Sequence, residues 1–213
     1  MARIVVSDEI VAIDWPLSSL DLHTRRLALK FDIGQVTFST FQEADTLDLL
    51  EIRNDVAVLP FMPAQEHVPF ERHRLWVRSN LLAVNASTPL LFVGRMGRRP
   101  AGFGVIKPTI ENAVVEIGVM VTGTWQRSGL PARLAAALVV VADRLLGTRE
   151  VLTYVHQSHI QALRFNRAWG MREVPSNKIG EVCFRAAIEQ PLGTSLCQRC
   201  IRDLELQVSK FRC

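Results

Sequence analysis

An α+β domain on a mixed, mostly antiparallel sheet flanked by helices is the fold that this sequence predicts, and three observations predict it. Apolar runs separated by turn residues follow one another from Pro89 to Val121, as strands joined in series do. The last of them, Ala113 to Val121, passes through Thr122, Gly123 and Thr124 into an apolar helix from Ala132 to Leu146. Further β-like runs, VLTYVH and EVCFRAAI, come after that helix, so strands lie on both sides of it in the chain.

In chain order, residues 1–33 read as an N-terminal extension: a short apolar strand, Ile4 to Val6 and then Ile10 to Ile13, a Trp15-Pro16 break, and a basic helical piece, LDLHTRRLALKF. The core is expected from residue 34, with VTFSTF as a strand and TLDLLEIRND as a helix whose apolar face is Leu47, Leu50 and Ile52. A loop rich in Pro and Met precedes a second helix, FERHRLWVRSNLLAV, with Leu75, Trp76, Leu81 and Leu82 near helical spacing. The turn GRMGRRPAG joins PLLFVGRMG to AGFGVIKPT as a hairpin, and Gly102 and Gly104 suit a strand that meets another backbone closely. Gly147 is a helix stop signal, and Ser158 to Phe165 reads as a helix ahead of Trp169-Gly170-Met171. Residues 189–213 complete the plan as a helical, cysteine-bearing tail after a domain of residues 34–188.

Composition narrows the function classes. With 213 residues, 48% of them apolar, the chain suffices for one domain with a sizeable core. The 25 basic residues exceed the 21 acidic ones only mildly and are spread along the chain, so nucleic acid is not the expected partner, although the positive balance suits an anionic cofactor. LAAALVVVADRLL is interrupted by Asp143 and Arg144 and falls short of the ~18–20 apolar residues that cross a bilayer. The first residues, MARIVVSDEIVAIDWP, carry acidic groups among their apolar ones and do not read as a signal peptide, so no membrane and a cytoplasmic location are expected. Cys183, Cys197, Cys200 and Cys213 lie late in the chain; the single CxxC of Cys197 and Cys200 has no nearby His, and reduced thiols rather than a metal site are expected.

The chemistry-bearing stretch is AVVEIGVMVTGTWQRSGLPAR, residues 113–133. A strand, a glycine-bearing loop and a helix in succession aim unpaired backbone N–H groups and the positive end of a helix dipole at one point, which suits a phosphate. A glycine between a strand and a helix is also the ordinary composition of a plain turn.

Three motifs in order resemble the Gcn5-related N-acetyltransferase (GNAT) superfamily over residues 35–188. Gln126 and Gly129 match its Gln/Arg-x-x-Gly-x-Gly/Ala signature, with Pro131 in the last position and one donor fewer in consequence. Arg53-Asn54, the Pro/Met loop, and Glu71, His73 and Trp76 are similar to a pattern of amino-sugar acetyltransferases of the pseudaminic acid type and, more loosely, of ribosomal-protein N-terminal acetyltransferases. Val155, Ala162, Leu163, Phe165, Trp169, Gly170 and Met171 fit the superfamily's last motif, in which His159 stands for the usual Asn and Asn166 for the usual Tyr.

The resemblance implies the acyl-CoA N-acyltransferase fold, with about six to seven strands, and an acetyl-CoA-dependent transfer to a primary amine by direct attack. The acceptor it implies is a small molecule, such as an amino sugar nucleotide, or a peptide N-terminus, and a homodimer is an assembly it allows. The backbone of Val119, Met120 and Val121 would then meet the pantetheine. Gln126, Arg127, Ser128, Gly129, Leu130, Pro131 and Ala132 would surround the pyrophosphate, with His159 and Phe165 closing the cleft. Arg53, Asn54, His73 and Trp76 become acceptor contacts. Glu116 becomes the base that takes a proton from the ammonium, and Tyr154, the only tyrosine, the acid for the departing thiolate. The residues alone leave other readings open: a sheet carboxylate for Glu116, core positions for Tyr154 and Trp76, and surface groups for Arg53 and His73. An alternative function is a CoA-binding or interaction module that has lost catalysis, suggested by Pro131, His159 and Asn166.

Overall fold

The computed structural model describes residues 3–6, 27–62, 65–82, 88–202 and 204–210, with side chains described for neither 3–6, 27 nor 208–210. β1 (Arg3–Val6), β2 (Leu27–Ile33) and β3 (Val36–Thr40) come first, and β2 and β3 form a hairpin through Gly34, whose φ of +61° the turn requires. The sequence reading placed a helix over LDLHTRRLALKF; residues 20–26 lie outside the described set, and from Leu27 the chain is a strand. Period two decides it: Leu29, Phe31 and Ile33 are buried while Lys30 and Asp32 face solvent, a pattern that a helix would scatter around its axis. Ile10 to Ile13 and Trp15-Pro16 also lie outside the described residues.

α1 (Thr46–Arg53) and α2 (Phe70–Asn80) cover one face of the sheet. Ile52 and Leu81 are buried as expected, but the inward faces otherwise differ from the expected ones. Leu49 and Ile52 of α1 and His73 and Val77 of α2 are buried, whereas Leu47 is 63% and Leu75 60% exposed. The three- and four-residue spacing within each helix points those buried residues, and not Leu47 or Leu75, at the strands. Arg95 of β4 (Leu90–Met96) bonds both Asp45 and Asp48, tying the start of α1 to the sheet.

β4 meets β5 (Arg99–Pro108) across a hairpin with Gly97 at φ +61°, and β6 (Val114–Val121) continues the antiparallel series. β4 is buried on both faces. Phe92 joins the core under the long helix, while Leu91 and Val93 join the core under α1 and α2, which explains a continuous apolar run instead of an alternating one. A Cβ on Gly102 would stand 2.5 Å from the Met120 carbonyl oxygen, and one on Gly104 would stand 2.9 Å from Leu138, so both glycines serve close approach as the sequence suggests.

α3 (Leu130–Arg144) lies on the opposite face and buries Leu134, Leu138 and its Ala/Val run against the sheet. Each buried Leu contributes roughly 1.5–3 kcal/mol. Gly147, at φ +59°, follows the end of the helix. β7 (Glu150–His156), α4 (Ile160–Ala168), β8 (Arg172–Val174) and β9 (Glu181–Ala187) follow.

The expected helical tail is helical only in α5 (Glu189–Gly193) and α6 (Ser195–Cys200); β10 (Glu205–Lys210) is a strand in which Leu206 is buried between exposed Glu205 and Gln207. β10 inserts between β1 and β2, parallel to the first and antiparallel to the second. The described residues thus form a ten-stranded sheet, β1-β10-β2-β3-β4-β5-β6-β7-β9-β8, in place of six or seven strands; the ends of the chain supply the surplus. Burial pushes the Cys197 thiol up to about 12, so it stays protonated at neutral pH, and Cys213 lies outside the described residues.

Candidate active site

The sheet changes character between β6 and β7. These neighbours run parallel, and their ladder pairs only Val114 to Glu116 with Glu150 to Leu152. Beyond it, Ile117 to Val121 keeps its partners on β5, and β7 keeps its own on β9 as far as His156, but the two strands no longer pair with each other. A wedge opens there. It leads towards the turn at Gly123–Trp125 and the start of α3.

Val119 and Val121 face α3, while Met120 faces the α1 and α2 side, so their backbones line the β6 edge of the wedge. At the head of α3, Gly129 is the N-cap with φ +79°, and a Cβ there would meet no atom within 4 Å. Of the amides expected to hold a diphosphate, two are already occupied. The Ser128 N–H donates to the Trp125 carbonyl at 3.2 Å, and the Leu130 N–H donates to Ser128 Oγ at 3.1 Å. Both bonds belong to a local turn that shapes the loop. Pro131 has no N–H. Among the described residues, the amides of Arg127, Gly129 and Ala132 keep no protein acceptor, so three donors remain, with the positive end of the α3 dipole behind them.

The loop after α1 spans this region. Asp55 accepts from the Gly123 N–H at 3.2 Å, and the Gln126 side chain donates to the Ala57 carbonyl at 3.1 Å. Gln126 therefore braces the loop and does not reach outwards. At the other side of the wedge, Phe61 stacks on His159 with ring centroids 3.9 Å apart. His159 caps α4 by accepting from the Ala162 N–H, and burial, then His156, lowers its pKa. Phe165 packs into the core beside Trp169.

The expected acceptor residues separate into two kinds. Arg53 lies over the Trp76 ring, 4.9 Å from its centroid, and both keep exposed surface. Burial, then Arg72, lowers the Arg53 pKa, and its Nε is buried without a partner. His73 is buried and the Asn54 side chain is hydrogen-bonded within the protein. His73 is 0% exposed behind Trp76, with neither ring nitrogen hydrogen-bonded. Burial, then Arg53, drops its pKa to about 4, opposed in part by the nearby Thr46 backbone. Asn54 spends both ends of its amide on Val68, donating at 3.0 Å and accepting at 2.9 Å, which closes the loop of residues 55–67.

Glu116 occupies the apex of the wedge, on the same face as Met120 and Tyr154. It is half-buried and bonded by two lysines, Lys107 Nζ at 2.7 Å and Lys178 Nζ at 3.4 Å. Tyr154 donates to Asn177 Oδ1 at 3.2 Å. Burial, then Cys183, raises its pKa, so at neutral pH it holds a proton that it can give. Sequence reading missed Lys178, Glu181 and Asn177. The pairing of Tyr154 with Cys183 and of His156 with Glu181 puts Glu181 on this face, a signal available only once the strands are in register. Among the described residues no group of His, Cys, Asp and Glu could hold a metal ion.

No protein-family model matches the chain, and no curated protein matches it. Solved structures do match in fold. A GNAT-family acetyltransferase from Bacillus anthracis is 16% identical with a TM-score of 0.59, covering 75% of this chain and 99% of its own. A spermidine N-acetyltransferase chimera from Vibrio cholerae and hSSAT is 12% identical with a TM-score of 0.62, covering 76% of this chain and all of its own. The yncA protein of Salmonella typhimurium, solved with its cofactor acetyl-CoA, is 16% identical with a TM-score of 0.55, covering 73% and 95%. The chain has the fold of these acetyltransferases: a mixed, mostly antiparallel sheet flanked by helices on both faces.

Proposed function

We propose that the protein is an acetyl-CoA-dependent N-acetyltransferase that acylates a primary amine of a small molecule or a peptide N-terminus by direct attack. The observation that carries this reading is the wedge between β6 and β7, opening immediately before a helix whose N-terminus keeps three free amides. The unpaired backbone of β6 along it suits an extended pantetheine arm, and the open side of Gly129 suits a diphosphate. The fold likeness to a spermidine N-acetyltransferase and to a protein solved with acetyl-CoA supports an amine acceptor and this donor.

Acetyl-CoA would supply the activated acyl thioester. The backbone of Val119 to Val121 would hold the arm, and the amides of Arg127, Gly129 and Ala132 the diphosphate, with the exposed Arg127 side chain adding charge. Glu116 would take a proton from the acceptor ammonium, directly or through a water, since an aliphatic amine is mostly protonated at pH 7. Tyr154 would return a proton to the leaving sulfur. Arg53 and Trp76 would line the acceptor side, with His73 packed behind Trp76 as support. Acceptors such as an amino sugar nucleotide fit an arginine on that wall.

A second reading, a CoA-binding module without turnover, draws on the two lysines that hold Glu116 and on the Asn177 partner of Tyr154. Titration with acetyl-CoA followed by free-thiol release across an amine panel separates the two. Turnover that collapses in Glu116→Gln supports the enzyme. Binding with no thiol release from any amine supports the module.

A further inference from the structure

Lys178, on the loop between β8 and β9, is placed as a ligand would be. Its Nζ lies 3.4 Å from the centroid of the Tyr154 ring, 3.4 Å from Glu116 Oε2 and 3.9 Å from Glu181 Oε2. An aromatic face with two carboxylates beside it is a receptor for a cation. Glu181 Oε2 is buried and accepts no hydrogen bond, because at 3.9 Å the lysine offers only charge. A carboxylate oxygen in that state is short of one N–H donor.

The surroundings hold the lysine in place without locking it. The Lys178 N–H donates to Ser176 Oγ and the Ser176 hydroxyl donates to the Lys178 carbonyl, each at 3.1 Å, and Gly180 at φ +76° completes the turn. The neighbouring Asn177 accepts from the Tyr154 hydroxyl. Yet the Lys178 side chain is 41% exposed, so it can swing into water at little cost. Charge is balanced locally: Glu116 and Glu181 face Lys107 and Lys178. An incoming ammonium would replace the Lys178 charge one for one and leave neither carboxylate unpaired.

We propose that Glu116, Glu181 and the ring face of Tyr154 form a subsite for a primary ammonium group, held in the free protein by Lys178, and that an amine ligand enters by displacing it. The proposal depends on the acetyltransferase reading only for naming that ammonium as the acceptor's; the subsite itself is a matter of binding.

The test is calorimetric titration of n-butylammonium chloride into the wild-type protein, Lys178→Met, Lys178→Gln and the double variant Lys178→Met/Glu181→Gln, without acetyl-CoA, each confirmed folded by circular dichroism. A competitor that occupies the subsite nine-tenths of the time weakens an incoming ligand about tenfold. Both single variants should therefore bind butylammonium about tenfold more tightly than wild type, and the double variant should lose that gain. Tetramethylammonium, which has no N–H to offer Glu181, should gain less. Unchanged affinity in both Lys178 variants, or a gain that survives Glu181→Gln, overturns the subsite. Because no outcome requires turnover, an inactive protein that shows the gain would sink the acetyltransferase reading and keep the subsite.

Discussion

Glu116 meets two demands that pull against each other. As the proposed base it would have to approach an incoming ammonium closely enough to take its proton, and its charge must be held inside a half-buried sheet face, which Lys107 and Lys178 accomplish. Glu116→Gln removes the proton acceptor and keeps the shape, so kcat/KM for the amine should fall by about a hundredfold or more in a thiol-release assay. The thermal shift on adding acetyl-CoA should persist, since the carboxylate is not among the diphosphate donors. His73 makes a different prediction. Its native pKa of about 4 lies below the 6.5 of the unfolded chain, so between those values the unfolded state binds more protons. The stability that neutral His73 contributes is fully present above pH 6.5 and is lost as pH falls towards 4. His73→Leu should flatten that acid limb in denaturant titrations and raise Tm at pH 7, because two unpartnered buried nitrogens disappear. A Tm that drops at pH 7 would show that those nitrogens have partners. Single residues were the least legible part of the sequence: Asn54 and His73 match a motif, yet Asn54 is committed to Val68 and His73 is sealed behind Trp76, contacts that no spacing rule contains.

Among the elements, β5 sets how closely its neighbours approach. The Cβ of Gly102→Ala would fall 2.5 Å from the Met120 carbonyl oxygen, a backbone atom fixed in the sheet on the edge of the wedge. The substitution should cost ~1–3 kcal/mol, read as a lower denaturant midpoint, and should weaken acetyl-CoA binding at the same time because the strand lining the arm is displaced. A neutral result would mean that β5 and β6 can part without consequence. Element existence was legible where one period dominated: the hairpin at Gly97 and the strand of residues 114–121 stand where turn residues and apolar runs put them, and the apolar helix expected over Ala132 to Leu146 runs from Leu130 to Arg144. Helix faces were not, because α1 and α2 carry apolar residues on both sides and only packing chooses Leu49 over Leu47. The LALKFDI strand was obscured by the basic, helix-favouring residues ahead of it, although from Leu29 to Ile33 its own alternation is strict.

For the whole molecule, the wedge exists because the sheet is parallel at one internal pair, β6 and β7, and antiparallel on both sides of it. A parallel pair needs a crossover, here α3, and the start of that crossover is where the free amides collect. That coupling of topology to chemistry was the legible part of the proposed site. The strand at Ile4 to Val6 was legible, but the pairing of β1, β2 and β10 was not, since strands from opposite ends of the chain find one another only in three dimensions. The central claim, a diphosphate at the head of α3, is tested most directly by the acetyl-CoA thermal shift of wild type against Gly129→Asp. Asp tolerates the left-handed conformation and complements a helix N-terminus, so the free variant should remain folded while its carboxylate repels a phosphate. At a hundred times Kd the wild-type protein should gain about 2.7 kcal/mol, or roughly 5–10 °C in Tm, and Gly129→Asp should gain almost none. A wild-type protein whose Tm does not move with acetyl-CoA, or a Gly129→Asp variant that shifts as far as wild type, would contradict the account.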